Sequence, residues 1–288
     1  MFFRASIFSA VLCFLALLPA IGEAVEVDTE HMFGFMIGSD VGDVGEREVQ
    51  SKTTARLSKS GGTYRAISQA LELEFVPAKN FRVEFGGTLA ANNINNVPGF
   101  SNTRQFDFQG AAAEFRYRFL DRETASFGLT FGVGLHADRI DETTAARVRG
   151  YGTEFVLAFD RELLPDRVVA AFNLLYEPEW TSPAIPGAAI HRESTIGAAA
   201  ALMVQVHPGV FIGGEARYLR QYEGINLGEF SGDAVFIGPT AFVKLSERSR
   251  LTAAWSFQVS GSSVEAASHL NLVEFERHQA RLIFGVNF

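Results

Sequence analysis

The chain has 288 residues, with 33 Asp and Glu against 25 Lys and Arg and a formal charge of -8, so a nucleic-acid partner has no electrostatic support. Beyond the first two dozen residues no apolar stretch approaches the ~18 residues of a membrane helix, which excludes a helical membrane protein. Cys13 is the only cysteine, and the aromatic set is dominated by 27 Phe against 6 Tyr and 2 Trp.

Arg4, the run Ala5 to Leu18 broken only by Ser6 and Ser9, and the small residues around Gly22-Glu23-Ala24 predict a cleaved signal peptide over residues 1–24. The run is shorter than the ~20 residues of a membrane span. The mature chain, 25–288, is expected as a single domain in an oxidising compartment, without a disulfide.

Short charged or Pro-containing turns then recur about every 40 residues: Pro77 to Asn80, Leu120 to Glu123, Glu162 to Asp166, His207 to Gly209 and Ser246 to Ser249. Longer polar segments alternate with them, at 39–62, 92–103, 140–147, 181–189, 223–232 and 262–274. The intervals predict twelve strands, over 31–39, 63–76, 81–91, 104–119, 125–139, 148–160, 167–180, 190–206, 210–222, 233–245, 250–261 and 275–288. These exceed the ~5–6 residues usual in propeller blades and suit tilted membrane strands of ~9–11 residues or more.

A two-residue period runs through the strands. Phe127, Leu129, Phe131, Val133 and Leu135 oppose Ser126, Gly128, Thr130, Gly132 and Gly134; Leu251, Ala253, Trp255, Phe257 and Val259 oppose Thr252, Ser256 and Gln258. Period alone does not separate a soluble sandwich from a membrane barrel. Phe75, Phe81, Phe119, Phe127 and Phe159 flank tight turns on the apolar face, while Tyr151, Trp180 and Tyr222 lie on it near the long segments, a pattern of two interfacial girdles. Three features break the pattern: Pro239, which predicts a bulge; Gln105, Asp107 and Gln109, out of phase with their strand; and Arg220, which would face lipid unless it snorkels at the rim.

The chain ends "ARLIFGVNF", with Ala280, Leu282, Phe284, Val286 and Phe288 on one face. In this ending the protein resembles Gram-negative outer-membrane β-barrels, whose last strand carries such a signature. The resemblance implies an all-β fold, a single twelve-stranded antiparallel transmembrane β-barrel. It also implies outer-membrane lipid as surroundings and the barrel-assembly machinery as a partner of the strand ending in Phe288.

With that topology the inward face holds Glu72, Glu74, Arg82, Glu84, Glu114, Arg116, Arg118, Glu154, Glu215, Arg217, Arg277 and Arg281. Glu74 and Arg82 are expected to pair across the turn at Pro77 to Asn80. Only Lys52, Lys59, Lys79 and Lys244 of the 25 basic residues are lysine, so the lining favours arginine, suited to holding carboxylates in bidentate pairs. These twelve residues are the candidate lining of a porin-like path for passive diffusion of small polar solutes; as structural ion pairs they would instead close a narrow lumen.

Two other readings follow from the residues. Outer-membrane phospholipase A holds a Ser and a His on the outside of a twelve-stranded barrel, and here Ser39 and His278 are expected outward on neighbouring strands. The stretch "FERHQAR" around His278 does not resemble that family's catalytic sequence, and an interfacial histidine is favoured. A closed barrel would act through its external loops, of which 40–62 is the longest and a candidate to fold inward as a gate. No HExxH or clustered Cys/His spacing occurs, and "GVGLHA" at 132–137 lies in a period-two strand, so no cofactor or metal is expected.

Overall fold

The computed structural model describes residues 27–288; the expected signal peptide lies outside the described residues. Twelve strands follow one another: β1 (Arg47–Leu57), β2 (Thr63–Ala78), β3 (Phe81–Asn95), β4 (Thr103–Leu120), β5 (Gly128–Ile140), β6 (Arg147–Leu164), β7 (Val168–Pro183), β8 (His191–His207), β9 (Val210–Glu223), β10 (Phe230–Lys244), β11 (Ser249–Ser263) and β12 (His278–Asn287). Each pairs antiparallel with its sequence neighbours, and β1 pairs with β12 from Glu48↔Asn287 to Leu57↔His278, closing the barrel. Closure leaves no unpaired edge. Tight turns gather at one end and the long connections at the other, as the turn spacing predicts.

Alternation decides which side chains meet the interior. On β2, Ala66, Ala70, Glu72 and Glu74 are buried while Ile67, Leu71, Leu73 and Phe75 are exposed on the outer face. The outer aromatics form belts: Phe127, Phe159 and Phe172 lie tilted against one another near the tight turns, and Tyr222 meets Phe230 near the loops. Arg220 lies over the rings of Tyr222 and Phe230, 5.3 and 4.6 Å from their centroids, which keeps its guanidinium in the loop-side belt.

Bulges account for the residues that break the pattern. The β3–β4 register passes from Thr88↔Gly110 to Leu89↔Phe108, leaving Gln109 as an extra residue. Phe106 and Phe108 are thereby outside, with Gln105 and Asp107 on the opposite face. At Pro239 the expectation needs correction: Ile237↔Phe257 and Thr240↔Ala254 share one register, and the shift lies earlier, between Val235 and Phe236.

The first strand also needs correction. Residues 31–39 form no strand; β1 lies within the segment expected to be the longest loop. The sequence "HMFGFMI" at 31–37 is apolar without alternation, which suits burial on all sides. "REVQSKTTARL" does alternate, but its outer face carries Ser51, Thr53 and Ala55, so its membrane face reads as polar. The count of twelve survives because one strand replaces the other.

Candidate functional site: an inner segment and a carboxylate wall in the lumen

Residues 27–42 run inside the barrel, and all but Asp28 are buried or half-buried. The segment doubles back on itself: the Thr29 N–H donates to Asp40 Oδ2 at 2.8 Å. A Cβ on Gly38 would stand 2.0 Å from the Thr29 carbonyl oxygen, so the close approach requires glycine.

A chain without strand partners must find other partners for its buried N–H and C=O groups. The barrel wall supplies them from its inward face. Asn173 on β7 accepts from the Ile37 N–H and donates to the Ile37 carbonyl, both at 2.9 Å. Glu215 on β9 accepts from the N–H groups of Gly34 and Phe35 at 2.7 and 2.8 Å. Thr252 donates to the His31 carbonyl at 2.7 Å, and Arg281 to that of Gly34 at 3.0 Å. At the tight-turn end Asp160 accepts from Thr29 Oγ1 and from both the N–H and the hydroxyl of Ser39, while Arg122 pairs with Asp40.

Packing reinforces this. Val27, Met32, Phe33 and Met36 of the segment join Val169, Ala171, Ala201, Met203, Phe211 and Phe242, the inward residues of β7 to β10 near the tight turns, in one buried cluster. On the opposite wall charge dominates. Arg82 is held by Glu30 of the segment at 2.8 Å, Glu74 at 3.2 Å, Glu84 at 3.4 Å and Glu114 at 3.5 Å. At mid-height the guanidinium groups of Arg217 and Arg281 stack on Phe35, 4.1 and 4.7 Å from its ring centroid.

The half nearer the loops is built differently. His136 on β5 contacts Asp138 through Nδ1 at 2.6 Å and turns Nε2 toward Glu179 on β7, 3.7 Å away. Gly152 of the intervening β6 makes this possible, since a Cβ there would lie 2.0 Å from that nitrogen. Glu177, Glu179 and Glu193 continue the same wall. Arg56 ties the β5–β6 loop to the β11–β12 loop through Glu142 and Glu276. Lys59 donates to the carbonyls of Val273 and Glu274 at 2.8 and 2.9 Å. Burial pushes the Lys59 ammonium down to about 8, against the opposing pull of Glu276 and Glu274.

Of the twelve residues assigned to the lining, Glu74, Arg82, Glu84, Glu114 and Arg116 come together in the network around Glu30, and Glu215, Arg217 and Arg281 surround the tip at Gly34 and Phe35. Glu72 pairs with Lys52 at 2.6 Å. Arg118 reaches Asp121 and Asp40 at the tight-turn end. Glu154 lies among Glu114, Arg116 and Lys52. Arg277 is exposed, one residue before β12, and the buried side chain there is Glu276. Glu74 and Arg82 do pair, although the residue opposite Glu74 in register is Glu84. Ser39 is buried against Asp160, whereas His278 faces outward on Trp255, so the Ser39–His278 pair does not form.

Sequence reasoning missed Asn173, Asp160, Arg122 and Thr252, which serve the segment, and Glu48, which Arg250 clamps. The available signal was the near-continuous apolar character of 168–172, 201–204 and 241–243, since a strand end apolar on both faces must meet apolar material inside.

The COG4313 outer membrane channel from Pseudomonas putida F1 superposes with a TM-score of 0.59 at 13% identity, over 91% of this chain and 100% of that one. The β domain of the Bordetella autotransporter Brka does so with a TM-score of 0.50 at 15% identity, over 85% and 100%. Likeness at these identities establishes the outer-membrane barrel fold. No curated protein matches the chain in sequence. Residues 25–288 match the family of unknown function DUF6662, and the chain belongs to that family.

Proposed function

We propose that the protein is an outer-membrane channel of a Gram-negative cell, exported by its signal peptide, through which small polar solutes diffuse passively, and that residues 27–42 are its internal gate. One observation carries this reading. The segment is held by side chains of the wall and belongs to no β-ladder, so it can leave without breaking a strand pair. The remaining lumen is lined by Lys52, Glu72, His136, Glu154, Glu177 and Glu179, a polar surface suited to hydrated solutes and uneven in charge.

The filled tight-turn half also favours a second reading, a closed barrel that acts through its loops. The hydrolase reading loses its support with the separation of Ser39 from His278. Swelling of proteoliposomes in neutral and charged solutes of graded size separates the first two. A channel admits the smaller solutes and admits them faster after residues 29–40 are deleted. A protein that is folded by heat-modifiable gel mobility yet admits none, with or without the deletion, is a closed barrel.

A further inference from the structure

His31 enters the lumen on the segment and is 6% exposed at its side chain. Its Nε2 has no hydrogen-bond partner. Three carboxylate oxygens face that nitrogen: Glu30 Oε2 at 3.5 Å, Glu74 Oε1 at 3.7 Å and Glu48 Oε2 at 4.0 Å. These separations exceed the ~2.7–3.2 Å of an N–H···O bond. Arg82 holds the other oxygens of Glu30 and Glu74, which keeps those two carboxylates turned to His31, whereas Arg250 already takes both oxygens of Glu48.

The spacing suits an ion between the donors. Tetrahedral coordination with metal bonds of about 2.0–2.1 Å sets its ligand atoms roughly 3.3 Å apart; Glu30 Oε2 and Glu74 Oε1 stand close to that separation from His31 Nε2, and the three donor atoms lie within 4.8 Å of one another.

We propose that His31, Glu30 and Glu74 bind a divalent transition-metal ion of the Zn2+ type. Imidazole with carboxylates favours such an ion over Mg2+. Two ligands travel with the segment and one belongs to β2, so the ion fastens segment to wall. Its consequence for passage, closure of the gate by metal, rests on the gating reading; the binding itself does not.

The test uses the full chain, purified in detergent and stripped with a chelator, with Zn2+ and Mg2+ titrated by competition against a chromophoric chelator. A second His-carboxylate cluster, His136 with Glu177 and Glu179, brings donor atoms within 4.8 Å of one another, so the double variant Glu177→Gln, Glu179→Gln serves as the comparison. The expected result is one Zn2+ per chain with Mg2+ much weaker. His31→Ala should weaken Zn2+ binding by more than the ~10–100-fold typical of changes beyond the ligands themselves, and the double variant should leave it intact. His31→Gln, which keeps the bulk, repeats the test should the alanine variant misfold. Absence of stoichiometric Zn2+ binding, unaltered binding in both His31 variants, or loss confined to the double variant overturns the proposal. In a bilayer, Zn2+ should suppress the rare openings of the wild type and spare those of His31→Ala; binding without that loss retains the site and counts against the metal-controlled gate.

Discussion

Near the tight turns the lumen is dry: Arg82 and Glu30 are 1% and 3% exposed at their side chains. Near the loops His136 and Glu179 keep 26% and 30%. The same alternation built both halves, and the difference lies in what meets the inward face. In the first, a stretch of the chain itself brings apolar side chains to the ends of β7 to β10 and its bare backbone to Asn173, Glu215 and Thr252. In the second, the loops cover the inward ends of β2 and β3 at Tyr64, Ala66 and Ile94, and Glu154, Glu177, Glu179 and Glu193 are left half-exposed. A polar residue in a barrel interior therefore has two separate uses, to line a path or to hold what fills it.

The largest substitution effect should come from breaking the hold on the filled half. Glu215→Ala leaves the N–H groups of Gly34 and Phe35 without an acceptor, at about 1–3 kcal/mol for each, and should raise the open fraction of single channels by at least tenfold. Glu215→Gln, which retains one acceptor, should show a smaller rise. Phe35→Ala removes only the stacking of Arg217 and Arg281, about 0.5–2 kcal/mol, and should open the lumen several-fold less than Glu215→Ala.

Substitutions on the carboxylate wall should leave opening untouched and change selectivity. Glu177→Gln with Glu179→Gln removes two carboxylates from the wetter wall, so the reversal potential under a salt gradient should move toward anions, with the shift shrinking at high ionic strength. A change in open fraction instead would mean that the two halves are not independent.

The smallest effect lies outside the membrane. Lys59 is held down to about 8 by burial, below its unfolded value of roughly 10.4. Between those values the unfolded state binds more protons, so stability rises with pH across that window and the ammonium costs most below it. Protection of the 270–277 loop from hydrogen exchange, corrected for the intrinsic rate, should increase from pH 8 to 10. Lys59→Met should abolish that increase.

Much of this barrel was legible in the sequence, because tight turns and period-two alternation are local signals. Strand number, girdles and the long-loop end follow from them, while closure into a barrel is what the resemblance of the chain's ending implied. The inner segment was not legible as such, since residues 31–37 are apolar and come shortly after the expected signal peptide, where a first strand is expected. The strand that does begin the barrel was hidden by its small outward residues Ser51, Thr53 and Ala55. The charged lining could be listed by parity but not divided between its two uses: Glu215 and Glu154 share an inward face, and only the fold shows Glu215 bound to the backbone of Gly34 and Phe35. Arg277 fails by one residue, because β12 begins at His278.

Single-channel conductance of the full chain beside a variant lacking residues 29–40 tests the central claim most directly. If those residues are the gate, the full chain is closed or opens rarely, and the deletion gives long, discrete openings of larger conductance from a barrel that remains heat-modifiable. Equal conductance and open fraction in the two would contradict the account.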